Sequence, residues 1–191
     1  MIVGILGSGG NDSLCRLGLM VVAAQVRASG AQFDLVDLKQ EFRDLHEPAD
    51  YASPPPGSQT ERLRRRVARA SGIVLATPVY HGSFSGLLKN ALDHLQVGAF
   101  RRRAVGLVTA GGGPRTANAA AEPLRGVVRA LAGWATPTYV GLVAGDFGRD
   151  GLSDDVYRRI VAMVDELRFL GGMREADSTP GASRPPGERP C

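Results

Sequence analysis

With 191 residues, 43% of them hydrophobic and 22% charged, the chain has the size and balance of one globular domain that buries its own core, and wholesale disorder is excluded. A net charge of +4 draws attention to two arginine runs, at 64–66 and 101–103, but the first falls in a predicted helix and the second in a helix-to-strand connection, where solvated arginines are common; no nucleic-acid partner is expected, and the positive potential suits anionic nucleotides. The longest apolar run, residues 17–26, is broken by Gly18 and Gln25 and is too short to span a membrane, while Cys15 and Cys191 suggest no disulfide and no Cys/His spacing resembles a metal site.

Residues 2–6 form a short apolar run that predicts a strand, and no basic leader or small-residue cleavage site precedes it, so the expected location is cytoplasmic. Helical spacing follows over 13–29, with Gly30 as a C-terminal cap. A second strand is predicted at 33–38. Residues 39–57 then make a long connection containing Pro54, Pro55, Pro56 and Gly57, read as an irregular surface loop or as one side of a substrate mouth. Ser58 and Glu61 form a capping-box pattern at the head of a helix over 59–70. Strands at 73–77 and 104–109 bracket a helix over 85–95, and a helix over 118–134 leads to a fifth strand at 138–143. Ser153, Asp154 and Asp155 mark the start of a last helix over 154–170, since acidic residues favour the positive end of a helix dipole. Past Gly171 the periodicity is lost, so residues 1–173 are expected to form the domain and 174–191 a disordered tail.

Short apolar strands alternating with helices predict an α/β domain of three layers, its five-stranded parallel sheet covered on both faces. The flavodoxin-like strand order 2-1-3-4-5 is expected, which places a ligand beyond the carboxyl ends of the strands, where the order reverses between the first and third. Three loops leave that rim. The first, residues 7–13, offers backbone N–H groups and the side chains of Ser8, Asn11 and Ser13 to a phosphate at a helix amino terminus. The same Gly/Ser/Asn set also serves any tight strand-to-helix turn. It is neither a dinucleotide fingerprint nor a Walker loop, because Asp12 takes the place of a third glycine and no Lys-Ser or Lys-Thr pair follows. The second loop, residues 77–86, combines a stiffening Pro78, an aromatic Tyr80 and small residues that let main-chain donors reach a flat ligand. The third is Gly111, Gly112, Gly113 and Pro114 after the fourth strand.

The second stretch resembles the NADPH-dependent FMN reductase family, whose pattern there reads T-P-x-Y-x-G-S followed by G-x-L-K-N-A-x-D. The matching residues are Thr77, Pro78, Tyr80, Gly82, Ser83, Gly86, Leu88, Lys89, Asn90, Ala91 and Asp93. The resemblance continues through residues 146–155 and covers the chain to about residue 170. It implies FMN as cofactor with NADPH or NADH as co-substrate: phosphate contacts from Ser8, Ser13 and Asn11, flavin contacts from Pro78, Val79, Tyr80, His81, Gly82 and Ser83, and Gly111, Gly112 and Gly113 facing the ring. Two departures stand out. Family members often carry an arginine two residues after the Ser8 position, where this chain has Gly10, with Arg16 or Arg115 as candidate substitutes. Val79, Tyr80 and His81 replace the Glu, Tyr and Asn of many members, a variant similar to the branch that supplies reduced FMN to sulfonate monooxygenases.

The activity so implied is hydride transfer from NAD(P)H to FMN, with electrons passing to a monooxygenase partner as reduced flavin or to a quinone, azo or nitro acceptor. Flavin carries the difficult electronics, so no dedicated catalytic acid or base is required, and His81 is a candidate hydrogen-bond or proton donor only. Arg115 is a candidate contact for a 2′-phosphate. The resemblance also implies a homodimer or tetramer, with a seam at residues 87–95 and 118–131. A non-enzymatic flavodoxin-type carrier, or a scaffold that has lost its flavin, are the competing readings; carriers of that kind are usually acidic, and this chain is basic.

Overall fold

The central apolar runs become a sheet because they are buried on both faces and present no polar side to water, whereas the edge run at 33–37 is only partly buried and carries Asp34 and Asp37. In the computed structural model, which describes residues 1–149 and 151–177, β1 (Ile2–Leu6) is buried throughout and pairs in parallel with β2 (Phe33–Asp37) on one edge and β3 (Gly72–Tyr80) on the other. β3 turns back into a short antiparallel β4 (Ser83–Phe84) and pairs along its far edge with β5 (Ala104–Ala110). Two short strands share the last place, β6 (Trp134–Ala135) against the amino end of β5 and β7 (Val140–Leu142) against its carboxyl end. The expected order is therefore observed, with its fifth strand divided. Pro137 has no N–H for the ladder. The chain leaves the edge there, where Thr136 Oγ1 donates to the Thr138 carbonyl (2.8 Å) and Glu166 accepts both the Thr138 N–H (2.9 Å) and its hydroxyl (2.6 Å).

Strand alternation divides the core between two faces. Val3, Ile5, Ile73, Leu75, Val105 and Leu107 face one cluster, into which α3 (Gln59–Arg69), α4 (Gly86–Asp93) and α6 (Ala121–Ala130) send Leu63, Leu88 and Leu124. Ile2, Leu6, Val74, Ala76 and Val108 face the other, closed by Leu19 and Val22 of α1 (Leu14–Ala28) and by Ile160, Met163 and Leu167 of α7 (Asp154–Asp177). Ser13, Ser58 and Ser85 cap α1, α3 and α4 through their hydroxyl groups. The capping box at Ser58 is half-formed, because Glu61 accepts from the Gly57 N–H (2.6 Å) rather than from the cap residue itself.

Several boundaries differ from the sequence expectation. In place of the helix expected over 118–134, α6 runs only from Ala121 to Ala130 and Trp134 lies in β6; a separate α5 (Pro114–Asn118) precedes α6, because the ring of Pro123 is incompatible with a helical carbonyl at Ala119. The last helix passes through Gly171 and extends to Asp177, four residues into the expected tail; residues 178–191, including Cys191, lie outside the described residues. A small antiparallel pair, β8 (Phe147–Gly148) with β9 (Gly151–Leu152), precedes it.

The long connection is pinned rather than loose. After the short α2 (Leu38–Glu41), Gln59 Oε1 accepts the N–H groups of Arg43 (2.8 Å) and Asp44 (3.0 Å), and Asn90 accepts the His46 N–H (3.0 Å) while donating to the Asp44 carbonyl (2.9 Å). Three of the six arginines expected as solvated charge also act as internal ties. Arg66 bridges Asp34 and Glu41 (2.6 Å each); burial disfavours its cation, yet these carboxylates hold its pKa above the ordinary value. Arg64 donates to the carbonyls of His94 and Tyr51, and Arg103 to those of Ala70, Ala99 and Ala68. Among the described residues, no helix is long and apolar enough to cross a membrane.

Candidate active site at the carboxyl rim

Register alone makes the three rim loops neighbours. Leu6 pairs with Ala76, and Pro78 with Ala110, so the ends of β1, β3 and β5 lie side by side. The first loop begins at Gly7, whose N–H donates to the Ala76 carbonyl (2.7 Å). A Cβ there would stand 2.6 Å from Leu88 Cβ, so glycine is needed for the strand end to approach α4. Ser8 is buried, whereas Gly9, Gly10, Asn11 and Asp12 are exposed. Ser8 Oγ receives only a long contact from the Gly10 N–H (3.4 Å), and Ser13 Oγ accepts from the Arg16 N–H (3.2 Å). Among the described residues, the N–H groups of Gly9, Asn11, Asp12 and Ser13 have no partner. A row of donors thus precedes the positive end of a 15-residue helix, an arrangement that attracts an anion.

The second stretch, expected as a loop, is a tight hairpin. β3 continues to Tyr80, the chain turns at His81 (φ +52°) and Gly82 (φ +80°), and β4 returns with Tyr80 opposite Ser83. Two successive positive φ values are the signature of the primed turns that suit the twist of paired strands. His81 is therefore a turn residue as well as a candidate ligand contact. The hairpin is closed from beneath: Thr77 Oγ1 accepts the Ser85 N–H (2.9 Å) and donates to the Pro78 carbonyl (2.9 Å). Ser85 Oγ in turn donates to the Gly7 carbonyl (2.6 Å) and accepts the Leu88 N–H (3.1 Å), so one hydroxyl caps α4 and joins the first loop to the second. Tyr80 is 56% exposed, so its ring stands at the surface and not in the core.

In the third loop the Gly111 N–H donates to the Leu142 carbonyl (3.0 Å), and a Cβ on Gly111 would lie 2.6 Å from the Ala117 nitrogen. Gly112 and Gly113 have open space where a side chain would stand. Pro114 opens α5, and Arg115 beside it is exposed.

Sequence reasoning missed Thr77 and Ser85 as positioning residues; the legible signal was Ser85 immediately before a helix, in N-cap position. The second half of the 77–93 pattern is structural: Lys89 pairs with Asp93 (2.8 Å), Asn90 holds the 44–46 segment, and Ala91 is buried. Arg16, a candidate substitute for the loop arginine, already pairs with Asp37 (2.6 Å), the two side chains being 25% and 13% exposed. Cys15 is buried and its thiol is pushed up to about 12 by burial, so it stays protonated and unreactive at neutral pH.

The sequence profile described as NADPH-dependent FMN reductase matches residues 1–147. An FMN-dependent NADPH-azoreductase of Staphylococcus haemolyticus is 35% identical over 154 residues, 71% of this chain and 80% of that protein. Its Staphylococcus aureus (strain USA300) counterpart of the same description is 34% identical over 163 residues, 76% and 85% of the two chains. The chain belongs to the NADPH-dependent FMN reductase family. Among solved structures, an NADH:FMN oxidoreductase in its apo form superposes with a TM-score of 0.73 at 25% identity, over 93% of this chain and 98% of the other. An oxidoreductase from Corynebacterium diphtheriae shares the fold, with a TM-score of 0.73 at 22% identity over 90% and 97% of the two chains.

As a member of that family, this FMN reductase is an oxidoreductase that works with FMN and a reduced nicotinamide. Its rim fits the cofactor. Cβ atoms built on Gly9, Gly82, Gly112 and Gly113 meet nothing within 4 Å, so backbone on all three loops is open to close approach by a flat molecule with an anionic tail.

Proposed function

We propose that this FMN reductase seats the flavin phosphate on Ser8, Asn11 and Ser13 and the ring against Pro78, Val79, Tyr80, His81, Gly82, Ser83, Gly111, Gly112 and Gly113. FMN, when bound, supplies the two-electron chemistry between NAD(P)H and the acceptor. The chain's own work is positional and electrostatic. The 7–13 amides and the α1 dipole hold the anion, the hairpin fixes one side of the ring, and the Gly112–Gly113 backbone approaches another without a side chain between. The observation that carries the reading is the Ser85 hydroxyl at 2.6 Å from the Gly7 carbonyl, which makes the two loops one rigid surface.

The azoreductase relatives favour a small acceptor, an azo compound, quinone or nitroaromatic, reduced on the same face. The variant Val79-Tyr80-His81 favours a second reading, release of reduced flavin to a monooxygenase partner. Anaerobic NADPH oxidation by catalytic amounts of protein separates these. Continuous oxidation with an azo dye but little with free FMN supports the first, and the reverse supports the second. Oxidation that stops after one equivalent with every acceptor identifies an electron carrier and refutes both.

Placement of the phosphate is tested by Ser8→Asp. A carboxylate beside the anion is expected to weaken FMN at least about tenfold while leaving riboflavin, which lacks the phosphate, unaffected; equal loss for both flavins would move the phosphate elsewhere. The reading includes a homodimer, or a tetramer, in the cytoplasm. Leu88, Leu92, Leu95, Leu124 and Val128 are consumed by the chain's own core, so a seam at 87–95 and 118–131 would use the outer residues, Leu87 and Val127 among them. Sedimentation velocity that returns only monomer removes this part of the proposal.

A further inference from the structure

A phosphate monoester carries nearly two negative charges, yet residues 7–13 contain no cation and include Asp12. Arg16 offers little, because its charge is matched by Asp37 at 2.6 Å. The cation that does reach this loop comes from the next crossover. Lys39, in α2, donates from Nζ to Asn11 Oδ1 at 2.7 Å, bridging 28 positions of sequence. Its partner is a neutral amide oxygen, although two carboxylates flank it in the chain. Asp37 is taken by Arg16 and by the Lys39 backbone N–H, and Glu41 by Arg66 and by the Asp37 N–H. Among the described residues Lys39 makes no ion pair, so its charge stands unneutralised at the tip of the loop with two ammonium N–H groups to spare.

We propose that Lys39 is the phosphate-binding cation of this protein, delivered from α2 to the loop where Gly10 provides none. The inference rests on the placement of the phosphate at Ser8, Asn11 and Ser13. Besides its own contact with the phosphate, Asn11 would hold the ammonium over the loop through Oδ1, and a charge-assisted bond from Lys39 would then add to the amide donors.

The test is titration of the full chain, freed of flavin, with FMN and with riboflavin, at low and high salt, read by flavin fluorescence. Lys39→Gln is expected to weaken FMN about tenfold, to leave riboflavin binding unchanged, and to flatten the salt dependence of FMN binding. Lys39→Arg should keep the FMN preference. Adding Gly10→Arg to Lys39→Gln should restore it, since a Cβ at Gly10 meets nothing closer than 3.5 Å. Riboflavin binding also reports that each variant is folded. If Lys39→Gln retains both the FMN preference and its salt dependence, the lysine has no such role although the phosphate placement stands. If the unaltered chain binds both flavins equally, the placement itself fails and the inference falls with it.

Discussion

The first and second rim loops are built from similar small residues and work in opposite ways. In 7–13 four consecutive or near-consecutive amides lack partners, and the serine hydroxyls make only long or capping contacts. In 77–86 the polar groups are used internally: Thr77 binds Ser85, Ser85 binds Gly7 and Leu88, and the turn closes on paired strands. A ligand-binding surface needs both kinds. Free donors are useful only if the backbone that carries them is held still, and here the second loop holds the first.

The largest effect should therefore come from a residue that need not touch flavin. Ser85→Ala removes a helix cap and leaves the buried Gly7 carbonyl without its donor, each change costing about 1–2 kcal/mol. The two together should lower unfolding stability by about 3 kcal/mol in a denaturant titration and weaken FMN as well. If stability falls and FMN affinity does not, the loops are independent and the comparison is wrong.

The hairpin turn gives a smaller, sharper test. Left-handed backbone at His81 is strained for a β-branched side chain, so His81→Val should cost about 1–2 kcal/mol, whereas His81→Gly should be neutral or slightly stabilising. The pair of variants also separates roles. If His81→Gly keeps the stability and the rate of NADPH oxidation, the imidazole serves the turn alone; a rate loss without a stability loss assigns it to the flavin.

These two residues show how far the sequence can be read. The positions of the main strands, the cap at Ser58 and the three rim loops follow from apolar periodicity and local chemistry, because those signals are short-range. The hairpin was hidden because Pro78 and Gly82 read as loop residues, and only pairing across the turn reveals that Tyr80 and Ser83 are opposite one another. The Ser85–Gly7 and Lys39–Asn11 contacts join residues 78 and 28 positions apart, and no local pattern encodes them. The break near Pro123 was legible in principle, since that proline sits inside the predicted helix and forbids its continuation, whereas the short strand at Trp134–Ala135 forms by pairing with β5 and carries no local signal.

The smallest expected change in stability is the most informative about the third loop. Gly111 and Gly112 are adjacent, yet a Cβ on the first would collide with the Ala117 backbone and a Cβ on the second would meet nothing. Gly112→Ala should thus stay within about 0.5 kcal/mol of the unaltered protein, while Gly111→Ala should be clearly destabilised by overpacking, by about 1–3 kcal/mol. Flavin affinity inverts the ranking of interest: a methyl group on Gly112 projects into the space assigned to the ring, so FMN and riboflavin should weaken together. Undiminished binding of both by Gly112→Ala would show that the ring does not approach this glycine, and would confine the flavin site to the first loop and the hairpin.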